Sequence, residues 1–183
     1  NEVHMNMVTE AAQCGRNVFY AQPYSLDAQG FYFASHEEFE RQAGGCRDRF
    51  GSAVEEFEIQ LIEGPDAELC QAAGLDQSNL KLLEDLEGLD DGQKVSVFFL
   101  LDHGIVPDVE GAIAKAQDVI LFEGTLQDAA EELFDELYRD QVPASLLYYI
   151  DYEAYARDLR LSGEFVQFEF EGAVYTCTNA NSI

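Results

Sequence analysis

The chain has 183 residues, 47% of them hydrophobic, with 13 Phe and 9 Tyr, and it carries 36 acids against 10 bases for a net charge of −26. That length and aromatic content allow a buried core and exclude the disordered acidic class, which cannot bury enough apolar surface to offset ordering entropy. A pI near 4.1 argues against direct binding to nucleic acid or to an anionic membrane, since both present negative charge, and points to basic proteins as partners.

Residues 1–17 contain neither a basic leader nor an apolar run and are expected to be poorly ordered. Val18 to Ala21 reads as a strand, followed by a turn and a second strand, Gly30 to Ala34. Ser35 with Glu38 three residues on forms a capping box that opens a helix ending near Gly44 and Gly45. Phe57 to Ile62 alternates apolar and polar residues and predicts a strand with one exposed face. These elements make an N-terminal α+β subdomain over 18–63.

From Gly64 the period becomes helical. Gly64-Pro65 begins a short helix stopped by Gly74, a second runs from about Asn79 to Glu87, and a third from about Gly92 to Asp102, closed by Gly104. Leu80, Leu83 and Leu86 make the apolar stripe of the second helix. Pro107 to Glu110 opens a fourth helix through Lys115, completing a helical, acidic subdomain over 64–116. Asp118 to Phe122 predicts a strand. Thr125 with Asp128 caps the best-marked helix of the chain, Leu126 to Tyr138, with Leu126, Ala130, Leu133 and Leu137 as its buried stripe. Pro143 to Tyr149 and Asp151 to Leu161 read as further helical segments. Glu164 to Glu169 and Ala173 to Cys177 form a hairpin around Glu171-Gly172. The last subdomain, 117–183, is again α+β. The fold class is therefore α+β, expected as an elongated chain of three small subdomains.

Chemistry-bearing motifs are sparse. The longest unbroken apolar run, Val97 to Leu101, is far short of a membrane span. Cys14, Cys46, Cys70 and Cys177 lie far apart without a CxxC pair, which favours free thiols. His4, His36 and His103 have no metal-ligand spacing, and there is no HExxH, GxSxG, P-loop or dinucleotide fingerprint. Asp85, Glu87, Asp90 and Asp91 faintly suggest a calcium loop, but the glycine is misplaced and no Glu closes twelve residues. The expectation is a non-enzymatic protein without cofactor or metal.

The informative pattern is where the acids fall. Between Gly51 and Tyr138 there are 22 acids against three bases, Lys81, Lys94 and Lys115, a balance of −19, while the two flanks together carry only −7. Along Leu126 to Tyr138, Asp128, Glu131, Glu132, Asp135 and Glu136 cover every face but the apolar stripe, and no base occurs between Lys115 and Arg139. Five like-charge pairs at spacing three or four cost an isolated helix about 1–2.5 kcal/mol in all, whereas interspersed lysines would stabilise it. A solvated helix face or halophilic adaptation would also supply acids, but the latter predicts an even spread. A surface that repels itself is favoured by something outside folding, and a target built to hold DNA fits that demand. Duplex DNA carries about one charge per 1.7 Å, so 26 charges match about 44 Å of duplex and the 52 of a dimer about 90 Å. A compact chain of this size is roughly 40 Å across, so two end to end span what the charge requires. Glu84, Asp85, Glu87, Asp90, Asp91, Asp108, Glu110, Asp118, Asp128, Glu131, Glu132, Asp135 and Glu136 are the candidates for that surface.

The segment Val142-Pro-Ala-Ser-Leu146, then Tyr149-Ile-Asp-Tyr-Glu-Ala-Tyr155, Arg157-Asp-Leu159 and Leu161-Ser-Gly163 resembles the C-terminal signature of the ArdA antirestriction family. Glu55 to Ile59 is similar to the acidic approach to that family's first-domain strand, and the strand Asp118 to Phe122 with the helix from Thr125 falls where the family has the same pair. Roughly residues 18–177 are covered. The N-terminal part departs: many members have a Trp after the strand-two glycine, where this chain has Gly30-Phe31-Tyr32-Phe33 and no Trp anywhere. The resemblance implies a cytoplasmic protein of mobile elements that inhibits type I restriction–modification enzymes by imitating bent B-form DNA. It further implies α+β, helical and α+β domains, and a homodimer formed through the C-terminal part. Tyr149, Ile150, Tyr152, Tyr155 and Leu159 have near-helical spacing and are expected to serve the core or the dimer contact. The alternative reading is an acidic adaptor or inhibitor of another basic DNA-binding protein, such as a nucleoid protein or a CRISPR effector.

Overall fold

The computed structural model describes residues 15–183, so most of the stretch expected to be poorly ordered lies outside the described residues. The chain is α+β and divides into two compact units, one ending at Lys94 and one beginning at Val95. In the first, β1 (Val18–Pro23) is the central strand of an antiparallel sheet of order β2-β1-β3, with β2 (Phe31–Phe33) and β3 (Phe57–Glu63) at its edges. The turn between β1 and β2 sets Phe19 opposite Phe33 and Ala21 opposite Phe31, which puts the aromatic residues of both strands on one face. Helix α1 (His36–Gly45) covers that face. Its start forms half of the predicted capping box: Ser35 Oγ accepts the Glu38 N–H at 3.2 Å, but the Glu38 carboxylate accepts from the Ala34 N–H at 2.8 Å, one residue before the cap, rather than from Ser35. Phe31, Phe33, Phe39 and Phe57 meet at ring separations of 5.2 to 6.3 Å and form the core with Phe19, Cys70, Leu80 and Leu83.

Two short helices, α2 (Ala67–Ala72) and α3 (Leu82–Glu87), follow. The helix expected from Asn79 starts three residues later, because Asp76 holds the preceding residues in a turn. Its Oδ1 accepts from the Ser78 N–H at 2.7 Å and the Ser78 hydroxyl at 2.6 Å, while Asn79 Oδ1 accepts the Asp76 N–H at 2.7 Å. The bonds from Ser78 hold the Asp76 carboxyl below the usual carboxylate range. The leucine stripe is as the sequence predicts: Leu80, Leu83 and Leu86 are all buried. Asn17, which the sequence reading grouped with the poorly ordered segment, is buried. Its side-chain amide donates to Asp66 Oδ2 at 3.2 Å and accepts the Asp66 N–H at 3.1 Å, and Lys94 Nζ donates to Asp66 Oδ1 at 2.7 Å. Gly64 permits this arrangement, since a Cβ there would lie 2.6 Å from Asn17 Cα.

Helix α4 (Asp91–Asp102) carries the chain into the second unit, and α5 (Val109–Lys115) begins at Asp108, whose carboxylate accepts the Gly111 N–H at 2.7 Å. The second sheet has order β4-β6-β5, with β4 (Leu121–Glu123), β5 (Val166–Phe170) and β6 (Ala173–Cys177) all antiparallel. The β5–β6 hairpin turns on Glu171 and Gly172, at φ 50° and 78°, a pair of left-handed residues whose twist suits a two-residue hairpin. Phe168 and Phe170 pack on Phe99 and Phe98 of α4 at 5.0 and 4.7 Å. The strand expected over Asp118 to Phe122 is shorter and later. A 3-10 turn occupies 116–118, and Asn179 bridges Asp118 O at 2.7 Å and the Ile120 N–H at 2.9 Å, replacing part of the strand ladder with a side chain.

Helices α6 (Leu126–Tyr138) and α7 (Tyr152–Leu161) pack through Ala129, Ala130, Ala156 and Leu159, with Phe165 beneath them. Small residues at the crossing bring the backbones close. Leu137, expected in the buried stripe, is 48% exposed. Phe134 takes the contact at that end instead, 5.4 Å from Tyr152 and 5.7 Å from Tyr155. The helix expected over Pro143 to Tyr149 is only a turn followed by a 3-10 segment, Leu147–Tyr149. Leu146, Tyr148 and Tyr149 are exposed there, so no buried stripe holds an α-helix in place. Among the described residues Cys46, Cys70 and Cys177 are free thiols, and no helix is long and apolar enough to cross a membrane.

Candidate functional site

The thirteen candidate carboxylates are placed by three local devices: the polar sides of amphipathic helices, helix caps, and a turn. Helix α3 buries Leu82, Leu83 and Leu86, which forces Glu84, Asp85 and Glu87 outward. Asp90 and Asp91 open α4, and Asp90 exchanges bonds with Gln93: its Oδ1 accepts the Gln93 N–H at 2.9 Å while Gln93 Oε1 accepts the Asp90 N–H at 3.0 Å. In the second unit Asp108 caps α5, Glu110 lies in its first turn, and Asp118 ends the 3-10 turn. On α6, burial of Ala129 and Ala130 leaves Glu131, Glu132 and Glu136 exposed. Of the thirteen, only Asp135 is half-buried; the other twelve are exposed.

Exposure does not make these groups equivalent. Asp128 donates its carboxylate to the capping box, accepting from the Thr125 hydroxyl at 2.6 Å and the Thr125 N–H at 3.1 Å, and these bonds hold its carboxyl below the usual range. Asp135 is paired with Arg139 four residues on and accepts the Tyr152 hydroxyl at 3.3 Å. Shielding from water, reinforced by Asp135, pushes the Tyr152 phenol up. Partial shielding likewise raises the Glu87 carboxyl, with Arg16 and Lys94 opposing the rise and Asp66 adding to it. Asp90 and Asp108 are engaged as caps. The remaining eight, Glu84, Asp85, Asp91, Glu110, Asp118, Glu131, Glu132 and Glu136, have side chains with no hydrogen bond or ion pair among the described residues, and all are exposed. A carboxylate in that state keeps its full acceptor capacity for an incoming Lys or Arg.

The exposed acids Glu58, Glu123, Asp140 and Glu153 belong to the same chemical class and lie outside the thirteen. For Glu58 the signal was available, since strand alternation over 57–63 turns it away from Phe57. Of the C-terminal signature, Leu159 is buried with the α6–α7 core, Tyr155 packs against it half-buried, Ile150 and Tyr152 are half-buried, and Tyr149 is 82% exposed.

These features define a small acidic α+β protein that exposes at least eight carboxylates without a hydrogen bond or ion pair among the described residues. The sequence profile of the family described as antirestriction protein (ArdA) matches residues 26–173, well over half of the chain. The chain therefore belongs to the ArdA antirestriction family. Its function is antirestriction, and restriction enzymes are the partners that membership implies. A comparison with curated proteins gives no match.

Proposed function

We propose that the exposed carboxylates stand in for DNA phosphates and that the protein occupies the DNA-binding groove of a type I restriction–modification enzyme. It acts there as an inhibitor rather than a catalyst, in the cytoplasm of a cell that has received a mobile element. The observation that carries this reading is the set of eight exposed, unengaged carboxylates. Carboxylates that were only solvated decoration would be expected to pair with neighbouring bases, as Asp135 does with Arg139. Lys and Arg side chains that hold duplex phosphates meet the same charge and acceptor geometry in these groups, without any base-edge readout. Inhibition should therefore extend across enzymes with different recognition sequences.

The active form in this proposal is a homodimer joined through the C-terminal part, where Leu146, Tyr148 and Tyr149 leave an apolar patch in the open, 51%, 93% and 82% exposed. The three-part division at 63/64 and 116/117 belongs to the same proposal. The test is displacement of a labelled duplex from a type I methyltransferase core by the purified chain at low and moderate salt. Displacement should weaken as salt rises. Any single change to Ala among Glu84, Glu131, Glu132 and Glu136 should alter it by less than about fivefold, the scale of one exposed ion pair. Reversal of all four to Lys should abolish it. Loss of all activity from one of the single changes, in a protein that still folds, would overturn the distributed-charge mechanism.

A further inference from the structure

The second unit contains a groove of about 740 Å³ whose character is opposite to that of the rest of the chain. Arg157 and Arg160, one turn apart on α7, both line it. They are two of only ten bases in a chain of net charge −26. Arg160 has no ion pair among the described residues, and Arg157 makes only a long, exposed one, with Asp158 at 3.8 Å from its Nε. Glu153, also on the groove wall, stands four residues before Arg157 but is not within ion-pair distance of it.

Beside the two guanidinium groups lies a third donor. Gln167 on β5 uses Oε1 to accept the Leu126 N–H at 2.8 Å, which leaves its NH2 free of any other bond among the described residues. Of the backbone amides at the start of α6, those of Thr125, Leu126 and Asp128 are already satisfied by Asp128, Gln167 and Thr125. The rest of the wall is mixed: Leu126, Ala156, Phe165 and Val166 are apolar, and Thr125 and Gln127 are polar. A groove of this volume, in which convergent polar groups stand beside an apolar strip, has the build of a small-ligand site. Paired guanidinium groups on one helix face match the two oxygens of a carboxylate.

We propose that this groove binds a carboxylate carried on a short apolar body, with the acid group on Arg157 and Arg160 and the body against Phe165 and Ala156. The site is separate from the carboxylate surface and does not depend on the DNA-mimic reading. Two sources share this chemistry, a free alkyl carboxylate and an acidic side chain of a peptide.

The test follows amide chemical shifts of the intact chain at neutral pH during titration with hexanoate. Saturable shifts confined to α7, the start of α6 and the start of β5 are expected, with a Kd on the order of 1 mM for so small a ligand. Arg157→Gln with Arg160→Gln should weaken binding about tenfold or more while circular dichroism and melting stay unchanged. Glu153→Gln should tighten it by removing a like charge from the wall. Displacement of hexanoate by a capped Glu-Leu-Leu peptide assigns a peptide source, and failure of the peptide to displace it assigns a free carboxylate; both keep the site. Shifts that do not saturate by about 10 mM, binding unaffected by the double change, or inorganic phosphate binding as tightly as hexanoate would overturn the proposal. None of these readouts involves restriction inhibition, so failure here leaves the DNA-mimic reading standing.

Discussion

Replacing Glu132 by Gln should make the protein more stable and no better as an inhibitor. On α6, Glu132 faces Asp128 and Glu136 at spacing four and Asp135 at spacing three. Asp135 is partly offset by Arg139, while Glu136 has no partner among the described residues. Like charges at these spacings destabilise a helix by roughly 0.2–0.5 kcal/mol each, so removing all three contacts should stabilise by about 0.6–1.5 kcal/mol. For a chain of this length that is a rise in Tm of about 1–6 °C. The gain is purely electrostatic. It should be largest at low ionic strength and nearly vanish at 1 M NaCl, where the screening length falls to about 3 Å. Gln has almost the same shape and helix propensity, so little else changes. Thermal unfolding by circular dichroism at two salt concentrations measures it, with duplex displacement in parallel. A lower Tm for Glu132→Gln in dilute buffer, or a gain that persists undiminished in 1 M salt, would refute the argument that this acidic face is retained against folding.

Three further outcomes follow from the same contacts. Glu87→Gln should raise Tm at pH 7 and change nothing in acid: a carboxyl pushed up by folding opposes the fold when ionised, and that cost is gone once pH falls below its ordinary, unfolded value. A pH series of melts on both proteins checks the sign. Thr125→Ala removes the hydroxyl that accepts the amide at the start of α6 and should cost about 0.5–2 kcal/mol in urea unfolding. Asn17→Ala leaves the Asp66 N–H and carboxylate each short of a buried partner and should cost about 1–3 kcal/mol, with the loss seen in the N-terminal sheet by hydrogen exchange.

Sequence pattern and outcome agree where a local rule was sufficient. The N-caps at Ser35 and Thr125 form as the residues predict, the second as a complete capping box, because Ser or Thr followed three positions later by an acid satisfies orphan amides without outside help. The stripe Leu80, Leu83 and Leu86 and the hairpin around Glu171-Gly172 are local in the same sense. Disagreement begins where a distant side chain intervenes. Asn179 reaches back some sixty residues to reshape 118–120, and Phe134 displaces Leu137 from the stripe because Tyr152 and Tyr155 come to meet it.

The amino-acid order alone therefore determined the α+β class, the capped starts of α1 and α6 and the concentration of acid between Gly51 and Tyr138, since charge, caps and periodicity are read residue by residue. Only the folded arrangement decided which carboxylates remain available. The cap on Asp128 was legible from Thr125, but Asp135 reads like Glu132 in a string of letters until Arg139 and Tyr152 are seen to face it. The groove of Arg157 and Arg160 is tertiary for the same reason, because its walls come from three segments that meet only when α6, α7 and β5 pack together.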